Sequence, residues 1–63
     1  MTRIDTLEKI AARINHTQMH CLTTEERWEA EEDMALVVSA IESDSREFQV
    51  ATIRHTIGYL LTD

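Results

Sequence analysis

The sequence predicts an all-α protein, on three observations: no proline and a single glycine, Gly58, in 63 residues; apolar residues recurring at helical spacing; and capping patterns ahead of each periodic stretch. Hairpins and sandwiches need the turn residues that are missing here, whereas helices do not. The reading is a single domain over residues 1–63 with helices near residues 3–20, 24–42 and 45–61. A two-helix form with a long bent second helix over residues 24–61 stays open, because poor propensity is a weak break signal.

The first helix follows from Ile4, Leu7, Ala11 and Ile14, spaced three, four and three apart, with Ile10 widening the stripe. Two caps compete for its start: Thr2 with Asp5, or Asp5 with Glu8.

The second helix opens at Thr23, with Glu26 three residues on, as a capping box. Its first half, Glu25 to Asp33, holds six acids and one base. Acids in the first turn also suit the positive end of the helix dipole. From Met34 to Ile41 the helix is apolar nearly all round, which predicts cover on both sides.

The third helix is set off by Glu42-Ser43-Asp44-Ser45, with Asp44 and Glu47 as its capping pair. Val50, Ile53, Ile57 and Leu60 give its expected inner stripe, flanked by Phe48, Ala51 and Tyr59. Arg46, Gln49, Thr52, Arg54 and His55 are expected on its outer side.

A chain this short buries only about 60% of the surface its unfolded form exposes. The lone Cys21 forms no disulfide within the chain, so oligomerisation is the expected remedy. The expectation is a homodimer whose seam is Met34, Val37, Val38 and Ile41. A free thiol, no secretory leader and no apolar run near ~20 residues point to a cytoplasmic protein that does not enter a membrane.

Charge carries the functional argument. Residues 25 to 44 hold eight acids against Arg27, a net of minus 7, while the remainder holds four acids against five bases. Such a field repels phosphate backbones and steers basic partners. The candidate partner-binding face is therefore Glu25, Glu26, Glu29, Glu32 and Asp33 with Trp28, facing a protein of basic surface. Solvation alone also accounts for a charged face, and Trp28 is expected chiefly to close the end of the core.

Chemistry finds little support. His16 and His20 lie four apart, a spacing that suits a metal, but no glutamate between them supplies the base of a zinc protease. Glu29, Glu32 and Asp33 converge at helical spacing yet lack the histidine of carboxylate-bridged bundles. No cofactor, resident metal or catalytic residue is expected. The alternative function is a DNA-binding regulator of helix-turn-helix type reading with the outer face of the third helix, though two arginines make a thin footprint for phosphate contact.

With its Met-Thr-Arg-Ile-Asp start, its acidic, proline-free helical character and its length of 63 residues, the chain resembles the small early proteins encoded between exo and xis in lambdoid bacteriophages. The resemblance implies an early regulatory product acting on host or phage proteins in the lysis–lysogeny decision, without enzymatic activity, in the host cytoplasm.

Overall fold

The computed structural model describes residues 2–61. Among the described residues four helices follow in order, α1 Arg3–Met19, α2 Thr24–Glu42, α3 Arg46–Thr56 and the single turn α4 Gly58–Leu61. No strand is found among the described residues, and the fold is all-α. The radius of gyration is 11.2 Å, with extents of 34 × 20 × 15 Å. No helix among the described residues is long and apolar enough to cross a membrane.

α1 begins with the first of the two competing caps. The Asp5 amide donates to Thr2 Oγ1 at 3.1 Å, and the Thr2 amide donates to Asp5 Oδ2 at 3.3 Å. These two bonds satisfy donors that a helix start leaves unpaired. Leu7, Ile10 and Ile14 are wholly buried, with Ile4 and Ala11 packed at the margin, as the periodicity predicts.

α2 lies against α1 through Ala30, Val37 and Ala40, with Met34 and Ile41 half-buried beside them. Its cap departs from the expected box. The Glu26 amide donates to Thr23 Oγ1, but the Glu26 carboxylate reaches one residue further back and accepts from the Leu22 amide at 3.2 Å. The expected cover on both sides of Met34–Ile41 is also absent within the chain. Val37 is buried, whereas Val38 is 43% exposed and Leu36 is exposed too.

Extended backbone at Ser43 and Ser45 separates α2 from α3, so the long bent helix does not form. The cap of α3 is Ser45, not Asp44: the Phe48 amide donates to Ser45 Oγ at 3.2 Å. α3 is rotated from the orientation its apolar spacing predicts. Its buried stripe is Gln49, Thr52 and Thr56, while Val50, Ile53 and Leu60 are half-buried and Ile57 is 47% exposed.

Gln49 gives the reason for that rotation. Its Nε2 donates to Ala40 O at 3.1 Å and to Ser43 O at 2.7 Å, and its Oε1 accepts from Arg3 Nε at 3.1 Å. One side chain thereby gives Ser43 O its donor, adds a second to Ala40 O, which already accepts from the Ser43 amide at 3.2 Å, and ties the end of α2 to the start of α1. A buried amide must find partners, and these lie on the inner side of α3. Thr56 turns inward at similarly low cost, because its hydroxyl donates to Thr52 O at 2.6 Å.

Candidate functional site

The acid-rich half of α2 divides into two sets. Glu25, Trp28, Glu32, Ala35, Ser39 and Glu42 recur at three, four, three, four and three, so they share one face of the helix, and all six are exposed. Val38 and Leu36 flank that face. Trp28 is 62% exposed and does not close the core as expected. An indole left in water at the centre of a carboxylate-lined ridge offers apolar area and a donor N–H at once.

Two of the acids expected on the docking face are engaged within the chain instead. Glu26 completes the start of α2, as above. Asp33 turns toward the end of α3 and α4, where the Tyr59 hydroxyl donates to its Oδ2 at 2.7 Å and His55 Nε2 lies 3.4 Å from its Oδ1. Only 21% of the Asp33 side chain stays exposed. Burial, the bond to Asp33 and the charge of that carboxylate together push the Tyr59 hydroxyl well above its ordinary value. Glu29 stays exposed and adds to the same field. Sequence reasoning missed this cluster, since Asp33 and Tyr59 stand 26 residues apart and no local pattern links them.

The expected dimer seam is also redistributed. Val37 is part of the subunit's own core, and Met34 and Ile41 pack against that core. Of the four, only Val38 is exposed. A wholly buried valine has no surface to offer a second copy.

The outer face expected for α3 loses two members, because Gln49 and Thr52 are 6% and 3% exposed. Arg46, Arg54 and His55 stay on the surface. His16 and His20 lie with ring centroids 4.5 Å apart, tilted by 49°. Among the described residues, no three histidine, cysteine or acidic side chains are placed to hold a metal ion together. Cys21 donates its thiol to Thr17 O at 3.0 Å.

The clefts are shallow. One of about 280 Å³ is lined by Lys9, Ala12, Arg13, His16, Tyr59 and Leu60. No family model, curated protein or solved structure matches this chain.

Proposed function

We propose that this protein is a binding module that acts without catalysis, with the outer face of α2 as its working surface and a protein segment of basic, partly apolar character as its partner. The observation that carries this reading is the exposure of Trp28 between Glu25 and Glu32 on one helical stripe. Large aromatics anchor interfaces when a ring of polar groups surrounds them. Carboxylates around such an anchor raise the encounter rate with cations and reject like-charged surfaces. Ala35 and Ser39 lie further along the stripe and leave room for a second helix to approach. An amphipathic basic helix fits such a ridge, with its cations over Glu25, Glu32 and Glu42 and an apolar side chain on Trp28.

The resemblance to early proteins of lambdoid phages gives this module a setting: a regulator that alters the behaviour of host or phage proteins during the lysis–lysogeny decision. The helix-turn-helix alternative has less to work with, since Gln49 and Thr52 are turned into the core and two arginines remain to meet phosphate.

The test is affinity capture from host extract with the wild-type chain, Trp28→Ala and the double variant Glu25→Gln/Glu32→Gln. The expected result is one or more basic proteins retained by the wild type, released by moderate salt, and lost with either variant. Equal recovery by all three chains sinks the reading. Because Trp28 is the sole tryptophan, its emission reports contact directly once the partner is purified.

A further inference from the structure

α3 turns polar side chains inward, keeps Phe48 and Ile53 at the margin of the core, and leaves Ala51 and part of Val50 on its outer side. Gln49, Thr52 and Thr56 fill its buried stripe. On the opposite side, Glu47, Val50, Ala51 and Arg54 recur at three, one and three, and with Arg46 they line a surface groove of about 430 Å³. Further along the chain, Ile57 and Leu61 are 47% and 77% exposed. Neither Glu47 nor Arg54 has an ion-pair partner among the described residues. The two charges are placed symmetrically: Glu47 stands three residues before Val50, and Arg54 three after Ala51.

We propose that this face is the contact between two copies of the chain, formed as an antiparallel α3–α3 pair whose two-fold axis passes between Val50 and Ala51. In that arrangement Glu47 of each copy meets the partner subunit's Arg54, so two equivalent ion pairs bracket a small apolar centre. A two-fold interface requires a patch complementary to itself, and this one is. A parallel pair sets Glu47 on Glu47 and Arg54 on Arg54, which like-charge repulsion opposes. Pairing through α2 fails on the same ground. That helix carries seven acids against Arg27, a net of minus 6, whereas α3 carries Arg46 and Arg54 against Glu47, a net of plus 1. Ala51 at the centre lets the two axes come close. The face of one three-turn helix is small, so the pair belongs with weak, dissociable contacts. It leaves the outer face of α2 in each copy for the partner proposed above.

The test is sedimentation equilibrium from micromolar concentrations to about 1 mM, in the range of weak association, on the wild type, Glu47→Arg, Arg54→Glu, the double swap, and an equimolar mixture of the two single variants. Helical circular dichroism verifies that each surface variant is folded. The wild type is expected to dimerise with concentration, and each single variant to dimerise roughly tenfold or more weakly. The double swap and the mixture should both return to within about threefold of the wild type, because each restores opposite charges across the axis. A wild type that stays monomeric throughout overturns the proposal. So does a dimer indifferent to the single variants, or one that neither the swap nor the mixture restores. Partner capture by Trp28, Glu25 and Glu32 is a separate readout, so either proposal can fail alone.

Discussion

The Tyr59 hydroxyl donates a 2.7 Å hydrogen bond to Asp33 Oδ2, fastening the last turn of the bundle to the middle of the acid run on α2. That bond turns Asp33 away from the exposed stripe of Glu25, Trp28 and Glu32 and gives α4, only four residues long, an anchor that its own backbone bonds do not supply. Tyr59→Phe deletes the donor and leaves a largely covered carboxylate short of a partner. The expected loss is about 1 to 2 kcal/mol of unfolding free energy, read from urea denaturation by circular dichroism.

Burial of Tyr59, together with the same bond, sets a response to alkali. The folded state holds the Tyr59 proton more tightly than the unfolded state, for which the ordinary value near 10 applies. The native chain therefore binds more protons above that pH, and stability must fall as pH rises through that region and beyond. Below it the contribution is fully present. Since Tyr59 is the only tyrosine, tyrosinate absorbance should rise in step with unfolding, and Tyr59→Phe should flatten the decline. A tyrosinate signal that develops at ordinary pH in the fully helical protein contradicts this.

Gln49→Ala should be among the more damaging substitutions in the chain. It strips Ser43 O of its donor, Ala40 O of one of two, and Arg3 Nε of its acceptor, in a position only 6% exposed. The expected cost is roughly 1 to 3 kcal/mol, from a carbonyl left short of a donor and a small void. Gln49→Glu keeps the shape but sets a carboxylate against two carbonyls, and should be no better. Thermal unfolding of the two variants beside the wild type decides the matter.

Val37→Ala and Val38→Ala form an adjacent pair with opposite expectations. Val37 is wholly buried and should cost about 1 to 2 kcal/mol through the void it leaves. Val38, at 43% exposed, should cost under about 0.5 kcal/mol, as surface changes usually do. Equal costs in denaturation show that α2 is turned differently from the arrangement described.

Gly58→Ala should stabilise. A Cβ there meets nothing within 4 Å, and the residue has no positive φ that only glycine tolerates. Less freedom in the unfolded chain and better helix propensity are together worth about 0.5 to 1 kcal/mol. An increase in the melting temperature is the expected reading.

The elements were legible in the sequence to the extent that their determinants are local. The Thr2–Asp5 box, the Thr23 cap and the three-and-four spacing of Leu7, Ile10 and Ile14 are all encoded within a few residues of where they act. The orientation of α3 was not, because counting apolar residues assigns Val50, Ile53 and Ile57 to the inside. Gln49 overrides that count through bonds to residues 6, 9 and 46 positions away. Burial of a polar side chain depends on whether a partner waits for it, and periodicity carries no record of partners. The acidic surface was read in part for the same reason. Composition marks the run from Glu25 to Asp33 as charged, but the division between outward carboxylates and those held by Leu22 N and Tyr59 is set by how the helices meet.

The bond from Arg3 to Gln49 spans 46 positions, and this has a bearing on the order in which the chain can settle during synthesis. When α1 and α2 have emerged from the ribosome, Ser43 O still lacks the Gln49 donor and Arg3 Nε lacks the Gln49 acceptor. The nascent hairpin can already bring together Leu7, Ile10 and Ile14 with Ala30, Val37 and Ala40, but its far end is fastened only once α3 is released. A stop codon introduced just before residue 49 should therefore yield a fragment that proteases clear faster than the full chain, so that the amount at work in a cell would follow the number of completed copies.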